Sequence, residues 1–212
     1  MDTASKSGLY YPNKIALATF NALIEVMGKN GLSAILNYAH LREYINQYPP
    51  DNLERVFDFA DFSAIQCAMV DMYGEKGGQT FLKRAGRSAF NTCLSKQRAL
   101  AGVSNEVFRS LPLQTKLRIG LPAVARVLSQ ISDQIATVEV DGNYFKYIVQ
   151  QCPECWGQQG KQKPTCSFGA GLLEEGLNYL SGGSEFRVIE SRCMAMGEDT
   201  CEYTIDKIPI SL

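Results

Sequence analysis

Between residues 13 and 27 apolar side chains recur at Ile15, Leu17, Ala18, Phe20, Leu23, Ile24 and Met27, close to a 3.6-residue period. That spacing predicts a helix over 13–27, ended by Gly28 and Gly31, with a short helical stretch from Leu32 to Ala39. Pro49-Pro50 breaks the chain. Residues 59–73 are apolar on most sides and predict a buried helix, punctuated by Gly74, Gly77 and Gly78. Residues 79–94 predict another helix, with Lys83, Arg84 and Arg87 on its wet face. A further helix lies within 112–132, bent near Pro122. The pattern then changes period. Residues 134–140 are rich in β-branched side chains, Asp141-Gly142 is a hairpin signal, and 144–149 completes the pair. A polar loop over 152–164 follows. Cys166 opens a helix running to about Leu180, stopped by Gly182-Gly183. Strands at 185–191 and 202–208 flank a turn at Gly197. Helices first and then a ββ-α-ββ order predict an α+β fold. A helical N-terminal part, 1–132, packs on an antiparallel-sheet part, 133–212, of the same domain.

Composition removes several classes of function. The 212 residues carry a formal net charge of −1, so no basic excess points to nucleic acid. No uncharged apolar run approaches the ~20 residues that cross a bilayer. The first eight residues lack the apolar segment of a signal peptide. These features predict a soluble, cytoplasmic protein, in which clustered cysteines read as metal-binding or reactive rather than as a disulfide frame. His40 is the single histidine and reads as a helix-end residue, so neither a histidine-ligated haem nor a Ser-His-Asp set finds support. The glycines at 74, 77 and 78 form no phosphate loop, and no GxGxxG follows a strand.

The cysteines carry the candidate chemistry. Five of seven lie in the last third, at Cys152, Cys155, Cys166, Cys193 and Cys201. Cys152-Pro-Glu-Cys155 is a knuckle with metal-ligand spacing. Cys193 and Cys201 are symmetric about Gly197; across a hairpin their Cβ atoms would lie about 5 Å apart. Four thiolates chosen from the five suit one Zn²⁺ in a closed structural site, and also suit an iron–sulfur cluster. The fifth is surplus, and the reading assigns that place to Cys152 or Cys155 as a spare or reactive thiol. Glu174-Glu175 and Glu198-Asp199 read as solvated faces. Glu190 either orients a ligand thiolate through a hydrogen bond or faces solvent. The rings of Phe20, Phe57, Phe59, Phe62, Tyr147 and Phe168, among others, read as core that as a set could line a pocket for a flat guest.

The pattern Glu190-x-x-Cys193-x-x-x-Gly197-x-x-x-Cys201, preceded by Cys166 on a glycine-bearing helix, resembles the 4-vinyl reductase domain family over roughly 134–208. The resemblance implies a fold shared with haem-based nitric-oxide sensors and vesicle-tethering subunits. That fold packs helices on an antiparallel sheet, encloses an apolar pocket, and often dimerises through its helices. In aromatic-sensing members it implies a zinc ion held by the counterparts of Cys166, Cys193 and Cys201 plus a carboxylate. Here Cys152 and Cys155 offer themselves for that last place. The second helix glycine of many members, four residues after the counterpart of Gly171, is Glu175 here, with Gly176 beside it. That departure implies looser packing of the helix on the sheet.

The combined expectation is a non-enzymatic binding protein with a cysteine-bound structural zinc and a hydrophobic small molecule as ligand: aromatic, lipid, or a tetrapyrrole such as chlorophyll. By analogy with stand-alone members of photosynthetic bacteria it handles chlorophyll or assists photosystem assembly, peripheral to the photosynthetic membrane, as a homodimer through helices or with another protein partner. Two other classes stay open: an enzyme or accessory subunit in (bacterio)chlorophyll vinyl reduction, and a protein–protein tethering scaffold.

Overall fold

The computed structural model describes residues 6–95, 100 and 105–210. Residues 1–5, part of the stretch without an apolar leader, lie outside the described residues. A short strand β1 (Tyr10–Pro12) leads into helix α1 (Asn13–Tyr38) and pairs antiparallel with β2 (Arg55–Asp58). Helix α2 (Phe59–Ala89) runs on into a π turn at Phe90–Leu94. A short helix α3 (Glu106–Ser110) precedes α4 (Leu113–Ile131). Strands β3 (Ile135–Asp141) and β4 (Tyr144–Gln150), helix α5 (Ser167–Ser181), and strands β5 (Val188–Arg192) and β6 (Cys201–Asp206) complete the order. The four-stranded sheet is antiparallel in the order β3-β4-β6-β5. The α+β expectation holds.

The glycine breaks fall where the sequence places them. Gly28 (φ 74°, ψ 171°) and Gly74 (φ 74°, ψ 164°) leave helical geometry inside α1 and α2, splitting each into two consecutive pieces. Positive φ of this kind costs glycine little and other residues more. Pro122 produces no such break, and every residue of α4 keeps helical geometry. The β1–β2 pairing was not expected. Three or four residues are too few for alternation to register.

Period two is clear in the sheet. Phe145, Tyr147 and Val149 of β4 point inward, opposite Ile205, Tyr203 and Cys201 of β6. α4 lies against β3, and α5 lies against β5, α4 and α2, with α1 on the far side of α2. At the α2–α5 crossing a Cβ on Gly86 would overlap the Phe168 carbonyl, and one on Gly171 would overlap the Lys83 carbonyl. The two backbones touch there, which no side chain permits. Gly171 thus serves the contact with α2 rather than the sheet, so the expectation of looser sheet packing does not apply.

The aromatic rings fill the core rather than line a wide pocket. Tyr11 meets Phe59 and Phe62 edge-on at 5.2 Å, and Phe62 meets Phe168 at 5.2 Å. Glu174 is not solvated as expected. It is buried on α5 and paired with Lys83 at 2.6 Å and Arg87 at 2.9 Å, so the supposed wet face of α2 is partly committed. No helix among the described residues is long and apolar enough to cross a membrane.

Candidate metal centre

All five C-terminal cysteines are at most 2% exposed. Three segments deliver them. The loop after β4 carries Cys152 and Cys155, the residue before α5 is Cys166, and the β5–β6 connection carries Cys193 and Cys201. Cys193 and Cys201 approach beyond the end of strand pairing, since the last pair is Arg192 with Glu202. A 3₁₀ turn at Met194–Met196 and Gly197 at φ 94° reverse the chain between them. The Met194 backbone N–H donates to the Cys201 sulfur at 3.4 Å.

The sulfurs of Cys152, Cys155, Cys166 and Cys201 all lie within 4.8 Å of one another. Three of the separations are 3.7 Å (Cys152–Cys166), 3.4 Å (Cys155–Cys201) and 3.8 Å (Cys166–Cys201). With metal–sulfur bonds of about 2.3 Å, the edges of a tetrahedron are about 3.8 Å, so this is the spacing of ligands around one ion. An iron–sulfide cluster needs room for several atoms between its cysteines, which sulfurs this close do not leave. The geometry leaves Cys193, and not Cys152 or Cys155, outside the all-sulfur set. Cys193 belongs instead to an overlapping group of Cys166, Glu190, Cys193 and Cys201, also within 4.8 Å.

Polar groups around the sulfurs fix this arrangement. Glu190 Oε2 accepts the Cys166 backbone N–H at 2.7 Å, so of its two readings the orienting one is the one found. The Tyr203 hydroxyl approaches the Cys166 carbonyl at 3.1 Å. The loop is tied at both ends of its course: Gln158 Nε2 donates to Ser63 Oγ at 3.0 Å, and Lys161 N–H to the Ala195 carbonyl at 3.0 Å. Burial pushes the Cys166 thiol well above its usual range, and burial beside the Cys193 sulfur pushes Glu190 up to about 9. Both become easier to ionise only with a cation at hand.

No sequence pattern points to Glu154, inside the knuckle. It is buried, accepts the Gly169 N–H at 2.9 Å through Oε1, and has Oε2 unpartnered. Burial pushes its carboxyl up to about 7. Its partner lies 15 residues away on α5, beyond the reach of any local signal. Glu154 and Tyr147, whose hydroxyl is also unpartnered, line a crevice between α4, α5 and the sheet. The crevice also touches Tyr11, Phe168, Leu172 and Cys152, and holds about 20 Å³. A wider cleft of about 380 Å³ opens between α2 and the cysteine loop, lined by Gln66, Cys67, Val70 and Thr165 among others.

The family model of the 4-vinyl reductase domain matches residues 145–207. No curated protein matches the chain in sequence. Among solved structures, an Fe(II) unliganded H-NOX protein from K. algicida is similar at 11% identity, covering 95% of this chain and 97% of that one, with a TM-score of 0.58. An H-NOX protein from S. oneidensis in the Fe(II)NO ligation state is similar at 15% identity, covering 92% and 99%, with a TM-score of 0.53. A third, an oxygen-binding H-NOX domain related to soluble guanylate cyclases, is similar at 15% identity, covering 95% and 97%, with a TM-score of 0.52. At these identities the likeness is one of fold. A haem does not fit the residues present here: His40 is exposed after α1, and the interior crevice holds about 20 Å³. The sequence pattern around Cys193 and Cys201 and the arrangement of helices on sheet agree, and residues 145–207 are a 4-vinyl reductase domain on a chain with the H-NOX fold.

Proposed function

We propose that this chain is a non-enzymatic small-molecule-binding protein whose C-terminal part is fastened by a zinc ion on Cys152, Cys155, Cys166 and Cys201. The observation that carries the reading is the convergence of four buried sulfurs from three segments at tetrahedral spacing. A closed set of four thiolates leaves no position for water or substrate, which marks structural zinc rather than catalytic zinc. Such an ion can contribute about 10 kcal/mol or more of apparent folding free energy.

The guest's place is the crevice beside the knuckle. Its walls are Tyr11, Leu128, Phe168, Leu172 and Leu173, and its unpartnered polar atoms are Tyr147 Oη and Glu154 Oε2. Apolar walls with a few polar groups suit a small aromatic bearing a hydrogen-bonding group. A guest larger than a water enters only as α5 or the loop moves outward, and a tetrapyrrole demands more movement than a single ring. A cytoplasmic location, chlorophyll handling, photosystem assembly and accessory work in vinyl reduction rest on the family resemblance. A homodimer through helices draws support from Met72 and Tyr73, exposed beside the Gly74 break. The test is metal analysis of the purified full chain together with Cys166→Ser. The reading expects zinc in the wild type, and loss of both metal and cooperative melting in the variant. Folded protein without metal, its thiols open to alkylation, contradicts it.

A further inference from the structure

The two ligand groups at the centre are not alternatives of equal kind, because they share an edge. Cys166 and Cys201 belong to both, 3.8 Å apart. On one side of that edge stand Cys152 and Cys155; on the other stand Cys193 and Glu190. Cys193 sits 3.8 Å from Cys166, as far as Cys201 does, so Cys166 is an equal vertex of both tetrahedra.

We infer that the centre holds two divalent ions, bridged by the Cys166 and Cys201 thiolates, with Cys152 and Cys155 completing the first and Cys193 and Glu190 completing the second. This inference builds on the zinc reading above and adds an ion to it.

Three observations support the second ion. Glu190 spends Oε2 on the Cys166 N–H and leaves Oε1 buried with no hydrogen-bond partner. A buried carboxylate oxygen without a donor is costly unless a cation takes it. No ion pair among the described residues reaches Glu190: Lys83, across the adjoining cleft, is engaged by Glu174, and Lys76 lines that cleft without an ion pair to Glu190. Charge decides in the same direction. Five thiolates and a carboxylate carry six negative charges, and one dication leaves four of them in a buried site. Two dications leave two, the same balance as one zinc on four cysteines. With metal–sulfur bonds of about 2.3 Å, ions sharing a 3.8 Å edge stand about 2.6 Å apart, and contraction of that edge by about 0.5 Å carries them beyond 3 Å. Bridging sulfur between the ions screens their repulsion.

The test counts ions. Native mass spectrometry and metal analysis of the full chain, stripped and then titrated with Zn²⁺, read the stoichiometry directly. Two ions per chain, with Glu190→Gln and Cys193→Ser each retaining one, are expected. One ion per chain in the wild type overturns the second site and leaves the single structural zinc standing. No ion in a folded chain overturns both. A Glu190→Gln chain that still binds two ions also overturns the assignment, because it removes the carboxylate from the ligand set. Cobalt offers an independent reading: two saturating steps in the sulfur-to-metal absorption are expected, and a single step at one equivalent contradicts the bridge.

Discussion

The α2–α5 crossing and the 150–166 loop stand beside each other and are held by opposite means. At the crossing the chain brings backbones together by removing side chains, at Gly86 and Gly171, and the contact is apolar and continuous with the core. In the loop almost no regular secondary structure forms, and the chain is gathered by sulfur donors with a few backbone hydrogen bonds. The first region folds because burial of Leu172, Leu173, Phe168 and their neighbours outweighs the entropy lost, as in any helical layer. The second has too few apolar side chains for that and depends on a cation. Packing tolerates small losses in many places; a ligand set fails when one shared member is removed.

Four perturbations separate these regions, in falling order of effect. Cys166→Ser removes a ligand common to both groups of donors. It should abolish metal binding and cost the greater part of the ~10 kcal/mol a structural zinc supplies, read as loss of the cooperative melt and of bound metal. Gly171→Ala should cost about 1–3 kcal/mol by overpacking against the Lys83 carbonyl, despite alanine's better helix propensity. Its metal content should not change, and a drop in metal content would show that the crossing and the centre are not separable. Glu174→Gln removes the carboxylate between Lys83 and Arg87. Both cations remain partly solvated, so about 1–2 kcal/mol is expected in a denaturant melt, less at high salt.

Asp58→Ala is the smallest. Asp58 caps α2 by accepting the Ala60 N–H at 2.7 Å, and holds the N-terminal segment through the Ser7 and Gly8 amides at 3.0 and 3.2 Å. About 1 kcal/mol is expected from the lost cap. Burial raises the Asp58 carboxyl, but these hydrogen bonds prevail and hold it below its ordinary range. Its contribution is therefore full above about pH 4 and is lost as pH falls through the lower folded value. Wild type and Asp58→Ala should converge in stability in acid, and a constant gap down to low pH would contradict the assignment.

What could be read from the chain follows the range of each interaction. The breaks at Gly28 and Gly74 and the β3–β4 hairpin are local, and their signals lie within a few residues. Gly142 proved to be the first of two turn residues, with Asn143 the second, between Asp141 and Tyr144. The five cysteines were legible because sulfur at metal spacing has few other uses in such a chain. Which of them stands apart was not, since that depends on how the loop, α5 and the β5–β6 turn meet in space. The burial of Glu174 depends on Lys83 and Arg87, some ninety residues earlier, and no helical periodicity on α5 encodes it. Gly171 shows the same limit: a helix glycine signals a close approach, but its neighbour proved to be α2 rather than the sheet.

The native mass of the full chain under non-denaturing conditions tests most directly whether sulfur-bound metal fastens the C-terminal part. The compact charge states should carry the added mass of bound zinc, and that mass should disappear together with the compact states when a strong chelator is added. Compact ions at the mass of the bare polypeptide, unchanged by chelator, would contradict it.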